Sequence, residues 1–134
     1  MGCIFAQLYP NKHEVVIALS DFGIGIPNKI SKIKADLCDQ DAILLASQEG
    51  ISSKSLKTNR GVGLNLLIQN VVDLNGGSLK IASGSGILKC GRSGEKTVRT
   101  PVSAPGFYPG TFIELRMRTD MIKETGDDRE EFEW

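Results

Sequence analysis

Val15-Val16-Ile17-Ala18-Leu19 is apolar at every position, and the chain runs from it straight into Ser20-Asp21-Phe22-Gly23-Ile24-Gly25-Ile26-Pro27. An unbroken apolar run rich in β-branched residues reads as a central strand covered on both faces, because alternation is lost only where neither face meets water. Such a strand has to end in a turn, and a turn needs one permissive residue. An acid, two glycines spaced two apart and an Ile-Pro pair exceed that need. The segment is therefore a candidate site as well as a turn.

The rest of the chain supplies a sandwich around this strand. Residues 3–9 and 14–20 are strand-like runs joined by Pro10-Asn11-Lys12-His13, a connection short enough for an antiparallel hairpin. His13, the single histidine, sits at its tip as a solvated turn residue. Ile30, Ile33 and Leu37 recur at helical spacing among lysines and predict a short, weak helix. Asp39 can cap a firmer helix over residues 40–49, with Ile43, Leu44, Ala46 and Ser47 inward and Gly50 as its left-handed stop. Residues 51–60 are polar, carry Lys54, Lys57 and Arg60, and read as a surface loop. The strongest helical pattern covers residues 62–74, where Leu64, Leu67, Ile68, Val71 and Val72 share one face, and Asn75-Gly76-Gly77 ends it. Short strands follow over 78–83 and 86–90, then a long loop over 91–109 rich in Gly, Pro, Ser and charge, and a last strand over 111–117. Residues 127–134 form an acidic tail, solvated by default.

A second glycine-rich point, Arg60-Gly61-Val62-Gly63-Leu64-Asn65-Leu66, opens the best helix. Glycines there let the backbone approach an anion, and the free N–H groups of the first turn point at it with the helix dipole behind them. The dipole contributes only about 0.3–1 kcal/mol, whereas each charge-assisted N–H bond contributes about 1.5–3 kcal/mol. A tight loop that needs glycine for its backbone angles accounts for the same residues. Long-range charge does not decide between them, since Lys plus Arg and Asp plus Glu number 16 each. That balance argues against a nucleic acid or an anionic membrane as partner. Cys3, Cys38 and Cys90 are odd in number, widely spaced and without a CxxC pair, which argues against a disulfide framework or a metal site and fits a reducing cytoplasm. No apolar run approaches the roughly 20 residues that span a bilayer, so no membrane contact by this chain is expected.

Taken in order, DFGIGIP at 21–27, RGVGLNLL at 60–67, NGGSLKIASG at 75–84 and GTFIEL at 110–115 resemble the GHKL ATPase superfamily, and most closely its histidine-kinase-type ATP-binding domains. The likeness spans most of residues 14–117. It implies an α/β (α+β) two-layer sandwich, with a mixed, mostly antiparallel sheet and helices on one face. It further implies that ATP or ADP is the ligand. Asp21 would accept a hydrogen bond from the adenine amine, Gly23 and Gly25 would pass beneath the base, and Ile26 would pack on the ring. Gly61, Val62, Gly63 and Leu64 would offer amides to the phosphates, with Arg60, Lys54 and Lys57 as phosphate neighbours or merely solvated cations. Thr111, after Gly110, would support Asp21 through its hydroxyl, and residues 28–60 would form a lid.

Two departures from the family pattern carry consequences. Asn65 stands where a third glycine is common. The helix that bears a Mg²⁺-holding Asn and a catalytic acid or His is expected before the first hairpin, and the chain starts within that hairpin. Residues 1–120 are thus expected to be an ATP-binding domain truncated at its N-terminus, followed by the tail at 121–134. No catalytic residue is assigned, Mg²⁺ is expected only where that helix is present, and hydrolysis by this chain alone should be negligible. A sheet face left without its helix predicts self-association. The full-length protein would transfer the ATP γ-phosphoryl group to a protein phosphoacceptor or hydrolyse ATP. A non-catalytic scaffold that keeps the fold, and an anti-sigma-type serine kinase, are the alternatives.

Overall fold

The computed structural model describes residues 2–32, 34–48 and 60–121. Among these, the chain forms β1 (Gly2–Tyr9), β2 (Glu14–Asp21), α1 (Ile26–Ile30), α2 (Asp39–Ala46), α3 (Arg60–Ile68), β3 (Ser78–Ser93) and β4 (Lys96–Arg118). The strands make one sheet in the order β1-β2-β4-β3, with the helices packed on one face. This is the two-layer α+β sandwich expected, with one correction: every pairing among the described strands is antiparallel, not mixed. The reason is the insertion of β4. The helices carry the chain from β2 across to β3, which would make parallel neighbours, but β4 returns between them and runs antiparallel to both.

The core lies between sheet and helices. Leu79, Ile81, Leu88 and Cys90 of β3 and Leu115 of β4 pack with Ile43 of α2 and with Ile68, Val71 and Val72, all at 5% exposure or less. A second cluster joins Ile30 of α1 to Ala42 and Ala46 of α2. The strongest periodic stretch is helical as expected. It begins at Arg60 and continues from Gln69 to Leu74 as a wider π-helix that still buries Val71 and Val72. Asn75 then does more than stop the helix. Its side-chain amide donates to the Arg118 carbonyl and accepts the Arg118 N–H, at 3.0 and 2.7 Å, which extends the β4 ladder by one side-chain rung.

Further readings of the sequence need correction. The weak helix expected over Ile30 to Leu37 is instead Ile26–Ile30, because Pro27 falls in its first turn, where a missing N–H costs nothing and the fixed φ already suits a helix; Ile33 lies outside the described residues. The second helix starts at Asp39 with Cys38 as its N-cap, and the Asp39 carboxylate accepts the Ser85 N–H at 2.7 Å instead of capping. That helix ends at Ala46, and Gly50 lies outside the described residues. Two short strands and a long loop are replaced by the two arms of one hairpin, β3 and β4, reversing at Gly94, φ +65°. Pro101 hid the second arm from a pattern reading. It pairs with Leu88 in a stretch where β4 has β3 on one side only, because β2 ends opposite Thr111, and an edge tolerates a strand residue without N–H.

The apolar run in β2 has a different cause from the one inferred. Ile17 alone of the run packs on the core, and only Val16 is buried, at 8% exposure, on the opposite face between Gln7 and Arg116 in the register. Long side chains on neighbouring strands can shelter such a position without a second layer. At the outer edge, β1 contacts no helix strongly, and Ile4, Phe5 and Leu8 are 75%, 58% and 58% exposed. Among the described residues no helix is long and apolar enough to cross a membrane. His13 is an exposed turn residue, as expected, with φ 51°. Cys3 and Cys38 are exposed free thiols, and burial pushes the Cys90 thiol up to about 11, so it stays protonated at neutral pH.

Candidate functional site

The candidate site is built at the end of β2. Asp21 is the last residue of that strand, is exposed, and stands opposite Thr111 of β4. Its carboxylate accepts the Gly23 N–H, an Asx turn that folds the following loop back across the strand end. The loop then meets β4 at Gly110, φ +86°, where a Cβ would lie 1.9 Å from the Asp21 carbonyl oxygen and 2.8 Å from the Phe22 Cα. Only a residue without a side chain permits that approach. Gly25, φ +89°, is buried on the other side of the same crossing.

Ser83 ties the crossing together, and the sequence reading gave it no role. Fully buried in β3, its hydroxyl accepts the Ile26 N–H at 3.1 Å and donates to the Gly110 carbonyl. The start of α1 and β4 at Gly110 are thus joined through one buried hydroxyl of β3. An alternation count places Ser83 on the inner face of β3; a polar residue on an inner face is the signal that was available.

Ile26 links this corner to α3. It packs against both apolar clusters, and so does Leu64 of α3, which brings the two glycine-rich segments onto common ground beneath the helices. Gly63 is exposed in the first turns of α3. Its φ is not in the left-handed region, and a Cβ there would meet nothing within 4 Å. The backbone-angle account of that glycine therefore fails, although a glycine costs a helix roughly 1 kcal/mol against alanine. Arg60, Gly61 and Val62 lie on the backbone of α3 with it, while Lys54 and Lys57 lie outside the described residues.

The lid span divides into unlike parts. Within residues 28–60, α2 is fastened to the sheet, with Ile43 fully buried and Asp39 bonded to Ser85, and residues 49–59 lie outside the described residues. A cleft of about 150 Å³ opens between α1 and α2, lined by Pro27, Asn28, Ser31, Lys34, Leu37 and Asp39 among others. Asp21, Thr111 and Gly63 do not line it; Asp21 and Gly63 face open solvent. Phe22 and Ile24 flank Asp21 with 59% and 53% exposure, an apolar surface beside an acceptor that the sequence reading passed over as loop. No protein-family model matches this chain, and no curated protein matches it.

Proposed function

We propose that the chain is an adenine-nucleotide-binding domain of the GHKL type, taking ATP or ADP at the corner formed by the end of β2 and the start of α3. The observation that carries this reading is the shared packing of Ile26 and Leu64, one residue from each glycine-rich segment, on the same two clusters. An acceptor at a strand end and a helix mouth are thereby held on one scaffold. Asp21 suits the donor edge of adenine, with Thr111 beside it in the register. Exposed Phe22 and Ile24 offer apolar surface to a flat base, and half-buried Ile26 completes that side. The amides of Gly61, Val62, Gly63 and Leu64 would be offered to the phosphates from the start of α3, with Arg60 as their neighbour. The reaction proposed is transfer of the γ-phosphoryl group to a protein phosphoacceptor, or its hydrolysis, with Mg²⁺; no metal-holding residue is assigned among those described.

Titration calorimetry with ATP, ADP and GTP tests the reading. ATP and ADP are expected to bind and GTP to bind far more weakly, and Asp21→Ala should weaken ATP by about tenfold to a hundredfold by removing one charged acceptor. Heat from none of the three would favour the non-catalytic scaffold. Equal affinity for GTP, or an indifferent Asp21→Ala, would remove Asp21 from base recognition.

A second copy of the chain is the proposed partner for β1. The strand is eight residues long without charge, proline or bulge, the opposite of how free edges are usually blunted. A twofold axis at Ala6 would set Ile4 against Leu8 of the second copy on the helix side, and Phe5 against Gln7 on the other, with no like charges opposed. The neutral charge balance leaves no long-range repulsion between copies. Light scattering should show concentration-dependent dimers that Ile4→Lys shifts to monomer; a wild-type chain monomeric at high concentration would refute the pairing.

A further inference from the structure

Arg99 is the one guanidinium among the described residues that reaches into the helical layer from the sheet to bond two helices. It lies on β4 opposite Cys90. Its Nη1 donates to the Ser47 carbonyl at 2.9 Å and to the Ser47 hydroxyl at 3.1 Å, and its Nη2 donates to the Asn65 side-chain oxygen at 3.0 Å. Ser47 is fully buried at the end of α2, and its hydroxyl in turn donates to the Leu44 carbonyl at 2.7 Å. Asn65 is 6% exposed and lies in the second turn of α3. Among the described ion pairs none involves Arg99. Its charge is met by the Ser47 carbonyl at the C-terminal end of α2, where a cation is favoured by the helix dipole.

The position of Asn65 gives this contact a functional side. The start of α3 carries Gly61 and Gly63, residues that resist helical order, and a Cβ at Gly63 would meet nothing within 4 Å. Of the residues with described side chains there, Leu64 and Asn65 are the first to anchor the helix, and packing of a leucine does not fix rotation about the helix axis. A hydrogen bond to a planar amide does. We propose that Arg99 is a positioning residue for the phosphate end of the nucleotide site: through Asn65 it sets the rotation of α3, and so the direction of its first-turn amides, while fastening that helix to the end of α2. This rests on the nucleotide reading above.

A purely structural contact would weaken every ligand alike, whereas a device that aims phosphate-binding amides spares the base. Calorimetry with adenosine, ADP and ATP on the wild type, Arg99→Met, Arg99→Lys and Asn65→Ala separates these. Arg99→Met and Asn65→Ala should each weaken ATP and ADP about tenfold, one charge-assisted bond's worth, and leave adenosine within about twofold. The double variant should be no worse than either single one, and Arg99→Lys, which keeps the charge but not the fork, should recover part of the loss. Equal loss for adenosine and ATP, or no loss for either, overturns the positioning role.

Hydrogen exchange on the nucleotide-free protein distinguishes failure of this inference from failure of the reading beneath it. Arg99→Met should speed exchange of the amides of residues 64–68 about tenfold while those of β2 stay protected. Unchanged exchange refutes the clamp whatever nucleotides do. Faster exchange in a chain whose wild type binds no nucleotide upholds the clamp and refutes the site. Arg99→Lys supplies the same comparison where Arg99→Met fails to fold.

Discussion

Gly110→Ala is expected to destabilise the protein by at least about 3 kcal/mol and to abolish nucleotide binding with it. Two costs combine. At φ +86° an alanine bears the left-handed penalty of roughly 1–2 kcal/mol, and its Cβ would lie 1.9 Å from the Asp21 carbonyl oxygen. Backbone is what it strikes, so no rotamer relieves the overlap, and β4 must draw away from the end of β2. Both strands are held on each other by the register Asp21↔Thr111, so the movement separates the acceptor from its neighbour. Against a total stability of about 5–15 kcal/mol for a domain, this is a large share. Urea unfolding of the variant should show a much lower midpoint, with Gly63→Ala as the contrasting control. That alanine meets no atom within 4 Å, so it should leave stability equal or higher by up to about 1 kcal/mol. A Gly110→Ala protein as stable as the wild type would mean that the strand crossing is not as described.

Ser83→Ala is the second large effect, at about 2–4 kcal/mol. The hydroxyl serves two main-chain groups in a fully buried place, accepting from the Ile26 N–H and donating to the Gly110 carbonyl. Removing it leaves a donor and an acceptor without partners, each costing about 1–3 kcal/mol, partly offset where the loop relaxes toward water. The loss should appear in urea unfolding and as a raised protease susceptibility after Phe22, since the loop would lose its fastening to β3. Ser83→Thr, which keeps the hydroxyl, should recover most of it. A midpoint within about 0.5 kcal/mol of wild type for Ser83→Ala would show that the hydroxyl is incidental.

Local order was legible along much of the chain. The first hairpin, the periodic helix carrying Ile68, Val71 and Val72, and the stop at Asn75 each rest on interactions between near neighbours, and pattern reading finds those. It failed over residues 91–109, where glycine, proline and serine signal a loop and the structure has a strand. Pairing with β3 supplied what propensity lacked, and the freedom of β4's outer half from a second partner made Pro101 harmless. The apolar run in β2 misled in the opposite sense. Its second face is sheltered by side chains of the same sheet, a lateral effect that no run of hydropathy along one strand can report.

At the candidate site the division is sharper. Asp21, Gly23, Gly25 and the glycines at the start of α3 stand out in the sequence because each violates what its element alone would ask for. Ser83 and Arg99 do not, since a serine in a strand and an arginine beside a turn are ordinary until their partners are known. Phe22 and Ile24 likewise pass as loop residues until the structure shows them exposed beside Asp21.

By itself the sequence determined where elements begin and end when neighbours within a few residues settle the matter. Only the tertiary structure decided that β4 threads between β2 and β3, that one serine joins three segments and that one arginine holds two helices. Those outcomes depend on contacts between residues far apart in the chain, Ser83 with Ile26 and Gly110, Arg99 with Ser47 and Asn65. The free energy of such contacts exists only once the chain has closed the loops between them, so no local window contains it.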